Sequence, residues 1–99
     1  MKQFRQGDVL LEKIEKLPNN IIEKDKTLAY GEVTGHRHRF ESNTVQVFKD
    51  NNNQQFVDIQ QDSDLIHEEH NTIAVPKGKW KVVIQREYDL VEGIKQVMD

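Results

Sequence analysis

The sequence contains no cysteine. That excludes a disulfide-stapled scaffold, thiolate zinc sites and a cysteine nucleophile together. Any transition metal in such a chain is held by His, Asp, Glu or water. No apolar run approaches the roughly 18–20 residues that span a bilayer, and Met1 to Asp8 lacks the apolar stretch of a signal peptide. The expectation is therefore a cytoplasmic protein with no membrane partner. Hydrophobic residues are scarce, at 35% against 31% charged, so the core must be thin, which argues against a large buried α/β architecture. Neither sign of charge dominates: the formal net charge is −3 with the histidines neutral, and nucleic acid is not the expected partner. At 99 residues, the chain reads as one domain, 1–99.

What the sequence does have is short runs between turn signals. Gly7-Asp8 opens an apolar run, Val9 to Leu17, that Pro18-Asn19-Asn20 closes. Leu10, Leu11, Ile14 and Leu17 fit one helical face, but so short a run with a turn signal at each end favours a strand over Val9–Ile14. Thr27 to Glu41 reads as extended, with a bulge or bend where Gly31 and Gly35 interrupt it. Thr44–Lys49 and Phe56–Ile59 flank a polar loop and predict a hairpin with Val45 and Val47 inward. A second hairpin is predicted from Thr72–Val75 and Lys79–Glu87, because Val75-Pro76-Lys77-Gly78 suits a type I turn. On its return strand Trp80, Val82 and Ile84 share one face. Only the tail, Val91 to Met98, has helical spacing, enough for a turn or two. Short strands with turn signals at roughly 8–12-residue spacing predict an all-β fold, a small antiparallel barrel or sandwich.

The four histidines fall into two pairs, His36-Arg37-His38 and His67-Glu68-Glu69-His70. Residues two apart on a strand point to the same side, so His36 and His38 can present both rings to one point. His67 and His70 come together on one helical turn or in a tight loop. Two chelating pairs supply enough imidazole for a closed tetrahedral zinc site, or for three ligands and an open position. Zinc leads among the metals expected, and iron, nickel and manganese also accept imidazole. Counting by twos back from His36 reaches Glu32, provided Gly35 keeps the register, which makes Glu32 a candidate fifth ligand, ring-orienting partner or general base. Glu69 is the second candidate for proton transfer. The plainer reading is a solvated turn at 67–70 and a polar strand edge at 36–38. The His67–His70 spacing is not that of an HExxH helix, which argues against a metalloprotease.

Lys77, Lys79 and Lys81 alternate along the second hairpin, and Arg37 and Arg39 alternate opposite the histidines. Brought together they would make an anion patch; apart, they are solvated or guard an edge strand. Most of the aromatic residues, Trp80, Phe40, Phe48 and Phe56 among them, fit the core better than a stacking platform.

The segments Arg5-Gln6-Gly7-Asp8-Val9-Leu10-Leu11, Thr34-Gly35-His36-Arg37-His38, His67-Glu68-Glu69-His70 and Gln85-Arg86-Glu87-Tyr88-Asp89 together resemble a small uncharacterised family of bacterial and bacteriophage proteins. The resemblance implies an intracellular, phage-encoded or bacterial protein and carries no activity with it. A weaker likeness is to the cupins: His36, His38 and Glu41 echo their first motif, and His70 with Pro76-Lys77-Gly78 their second. Glu41 follows His38 one residue early, and His70 precedes the Pro-Gly turn instead of following it, so this likeness is one of analogy.

These readings converge on a small metal-binding β protein that holds one transition-metal ion through His36, His38, His67 and His70. Two alternatives stand beside it: a cupin-like metal-dependent enzyme with an open coordination position acting on a small molecule, and a metal-free module that binds a host protein. A homodimer through an edge strand fits either.

Overall fold

Alternation decides which side chains close over the core. Val45 and Val47 are fully buried while Gln46 between them is exposed, and Trp80 and Val82 are buried while Lys79 and Lys81 take the opposite face. The computed structural model describes residues 2–31, 35–85, 88, 89, 93 and 94. Glu32, Thr34, Arg86, Glu87 and most of the Val91–Met98 tail lie outside the described residues.

In chain order the strands are β1 (Gln3–Gln6), β2 (Val9–Ile14), β3 (Ile22–Lys24), β4 (Thr27–Tyr30), β5 (Arg37–Phe40), β6 (Val45–Lys49), β7 (Gln55–Ile59), β8 (Ser63–Ile66), β9 (Ile73–Val75) and β10 (Gly78–Ile84). Two short pieces, β11 (Tyr88–Asp89) and β12 (Gly93–Ile94), pair with each other. The helical spacing of the tail is not realised where it can be seen: Gly93 and Ile94 are in a strand pair. A helix of one or two turns without a packed face is marginal in water, and Gly93 weakens it further.

The first ten strands form two antiparallel sheets, one ordered β1-β2-β10-β7-β6-β3 and the other β4-β5-β8-β9. They stack as a sandwich and do not close into a barrel. Val9, Leu11, Val45, Val47, Val57, Ile59, Trp80 and Val82 of the larger sheet meet Leu28, Ala29, Phe40, Leu65 and Val75 of the smaller in one cluster. Burial of each large apolar side chain contributes about 1.5–3 kcal/mol, enough for a single thin core. Among the described residues, no helix is long and apolar enough to cross a membrane.

The β2 and β6–β7 assignments agree with the strands and hairpin read from the sequence. The second predicted hairpin does not form. β9 pairs with β8 in the smaller sheet, whereas β10 lies between β2 and β7 in the larger. Pro76 and Gly78 thus turn a corner between sheets, and the Trp80 indole N–H fastens that corner by donating to the Pro76 carbonyl at 3.2 Å. The reason is burial: a strand carrying Trp80 and Val82 is covered best in the middle of the larger sheet. The Thr27–Glu41 stretch is two strands. The chain reverses after Tyr30, which pairs with Arg37, and the Gly31 N–H donates to the His36 carbonyl.

Candidate metal centre

The site is built from three segments: the turn between β1 and β2, the start of β5, and the loop between β8 and β9. On β5, Arg37 and Arg39 face outward, so His38 faces inward and is 1% exposed. A buried imidazole needs partners, and Gln6 at the end of β1 provides one. The Gln6 amide nitrogen donates to the Leu65 and Asn71 carbonyls at 2.8 and 2.9 Å. This orients the amide, so that Gln6 Oε1, 2.9 Å from His38 Nδ1, can only accept. His38 therefore carries its hydrogen on Nδ1 when neutral and presents a lone pair at Nε2. Asp8 Oδ1 lies 3.3 Å from that nitrogen.

His67 follows β8 directly and is 4% exposed. Its Nδ1 accepts the backbone N–H groups of Glu69 at 3.0 Å and His70 at 3.3 Å. The ring so caps a tight turn, which brings His70 back beside it, ring centroids 4.6 Å apart. His38 stands 4.3 Å from His67 and 5.5 Å from His70 by the same measure. One nitrogen from each of His38, His67 and His70 lies within 4.8 Å of the other two. Donors on a tetrahedral zinc with bonds of about 2.0–2.1 Å sit about 3.3 Å apart, so the set needs only a modest contraction to close on an ion. The Nε2 of His70 is buried and has no hydrogen-bond partner among the described residues, as an atom awaiting a ligand would be.

His36 is placed at the margin. With His67 and Glu68 it forms a second group of convergent donors, and its Nδ1 lies 3.6 Å from Glu69 Oε1. The Glu69 side chain is 59% exposed. Glu68 is occupied elsewhere: its carboxylate accepts the Arg37 backbone N–H at 3.0 Å and Arg39 Nη1 at 3.0 Å. The Arg37 hydrogen bond foremost, with Arg39 nearby, holds this carboxyl below its ordinary range. Of the two expected proton-transfer groups, Glu69 therefore borders the cluster through His36. Glu32, the other, lies outside the described residues. The five-cation patch does not assemble: Lys79 and Lys81 lie on the outer face of the larger sheet, and Arg37 and Arg39 on that of the smaller.

Sequence reasoning missed Gln6, Gly7 and Asp8. Gly7 adopts φ +59°, and a Cβ there would lie 2.6 Å from His70 Nε2 and 3.1 Å from His38 Cε1. The turn can lie against the rings only because this residue has no side chain. A glycine between two polar residues just before an apolar strand was the available signal, and its plainest meaning is an ordinary turn.

Fold and site together define an all-β sandwich with a histidine cluster in which His38 and His67 are buried. The chain belongs to the family described as a domain of unknown function, DUF8820, whose family model matches residues 5–85. The matched span contains Gln6, Gly7, Asp8 and all four histidines. No curated protein and no solved structure matches the chain.

Proposed function

We propose that the protein binds one divalent transition-metal ion, zinc by preference, with His38, His67 and His70 as nitrogen donors and His36 at the rim. The reading is carried by three imidazoles converging within 4.8 Å, one of them already held in the tautomer that ligation needs. The near-complete burial of His38 and His67 favours a stabilising ion over a catalytic one.

His67 supports a second reading. Its Nδ1 already accepts two backbone N–H groups, so in the neutral ring the hydrogen sits on Nε2. Ligation through Nε2 moves that hydrogen to Nδ1 and displaces both contacts. On the second reading no metal binds, and the rings form a polar network that ties the sheets together for a protein partner.

Incubating untagged protein with zinc, desalting it and measuring metal content distinguishes the two. The first reading expects close to one zinc per chain. It also expects a Tm lowered by about 10 °C or more on chelation, since a ligand at 1,000 times its Kd contributes about 4 kcal/mol and each kcal/mol moves a domain of this size by about 4–8 °C. The Glu69 and His70 amide resonances should shift on loading as the turn gives up its contacts to His67. Less than about 0.2 zinc per chain under conditions that retain a structural ion would overturn this reading and leave the metal-free one.

A further inference from the structure

We propose a second site, independent of the metal-binding reading: a recess at the start of β10 that binds the phosphate group of a small molecule. The recess is about 410 Å³ in volume, and its walls include Lys13, Lys77, Gly78, Lys79 and Asp58 but no histidine. That volume falls within the range of about 300–1,000 Å³ usual for small-molecule sites. Like charges gathered around one recess repel, and a carboxylate among them would relieve this. Asp58 is the one acid in the lining, and its Oδ1 accepts the Gln60 amide at 3.0 Å. Among the described residues no ion pair reaches Lys13, Lys77 or Lys79. Three ammoniums against one carboxylate leave two positive charges, which match the roughly two negative charges of a phosphomonoester near pH 7.

Lys13 distinguishes this recess from a stretch of solvated lysines. It pairs with Trp80 across β2 and β10, and its ammonium lies 5.3 Å from the centroid of the indole. A cation so placed is attracted by the negative face of the ring, and the ring itself is fixed by its hydrogen bond to the Pro76 carbonyl. Gly78 completes the seat. Its φ is +142°, and a Cβ there would fall on the Lys13 ammonium. Trp80 and Gly78 therefore hold one cation in place before any ligand arrives, which lowers the ordering cost of binding. Lys77 and Lys79 flank Gly78, and each brings a point charge with three donors to the same anion. A long polyanion fits less well. The chain has a formal net charge of −3, and Arg37 and Arg39, which would extend a basic track, belong to the other sheet.

Titration with inorganic phosphate and with glycerol phosphate tests this, with ionic strength held at about 0.15 M, where the screening length is about 8 Å. Trp80 fluorescence and the Gly78 amide resonance report on the recess. Both should change saturably, with a Kd below about 10 mM. Lys13→Gln should weaken binding about tenfold or more, the loss expected for one charge-assisted hydrogen bond. Lys81→Gln removes the same charge from the same strand outside the recess, and should weaken binding by less than about twofold. Equal losses in the two variants would mean a diffuse field and overturn the proposal. So would the absence of any saturable Gly78 shift, which the wild type alone reveals even if Lys13→Gln fails to fold. Phosphate shifts confined to His38 and His70 would assign the anion to the histidine cluster instead. A DNA oligonucleotide bound through Lys13 far more tightly than either phosphate would replace the small-molecule assignment with a nucleic-acid one.

Discussion

Gly7 is the residue on which the cluster's geometry turns. Alanine there must hold a left-handed backbone, at about 1–2 kcal/mol, and its methyl group would sit 2.6 Å from His70 Nε2. We expect Gly7→Ala to lower the stability of the metal-free protein by about 1–3 kcal/mol and to weaken zinc binding as well, as read by urea unfolding and by titration. Unchanged stability and affinity would mean that the turn does not lie against the rings. At this scale the histidines were legible in the sequence, because imidazole pairs are uncommon and their spacing constrains direction. Gln6 and Asp8 were not. In a chain 31% charged, one more carboxylate before a strand carries no local mark, and its proximity to His38 depends on how two sheets stack.

The turn between β3 and β4 is held by Asp25, whose Oδ1 accepts the Thr27 N–H at 3.1 Å and lies 3.2 Å from Lys24 Nζ. The Thr27 hydrogen bond first, then Lys24, holds this carboxyl below its ordinary value of 3.8. A depressed carboxyl contributes stability that is present above the unfolded-state value and is lost as pH falls through the folded one. Urea midpoints of the wild type and Asp25→Asn should therefore differ slightly at neutral pH and converge below about pH 3.8. The effect is small because the side chain is largely exposed. A gap that persists undiminished at about pH 2.5 would contradict this. Element by element, β2 and the β6–β7 hairpin were readable because local alternation and turn residues suffice to specify them. The β9–β10 corner was misread as a hairpin because Val75-Pro76-Lys77-Gly78 looks the same in either role. Only the burial of Trp80 and Val82 between β2 and β7 decides which strand becomes a neighbour.

The whole molecule depends on a thin shared core, and composition had already limited it to that. Leu11 is fully buried in the larger sheet and belongs to the cluster that joins both layers. Leu11→Ala should cost about 2–5 kcal/mol, a large part of the total for a domain whose stability is about 5–15 kcal/mol. Trp80, the single tryptophan, is 1% exposed, so its fluorescence reports the loss directly in urea. A change under about 1 kcal/mol would show that the layers are not packed through this residue. Barrel and sandwich were indistinguishable from the sequence because closure is a property of strand order.

The histidine rings also have a consequence for biosynthesis. They are contributed by β5 and by the loop after β8, and they rest on a turn near the N-terminus. A ribosome must release everything from Gly7 to His70 before these pieces can meet. A partly made chain offers an ion only separate, weak handholds, so capture of the metal would mark the completed fold and not help to begin it.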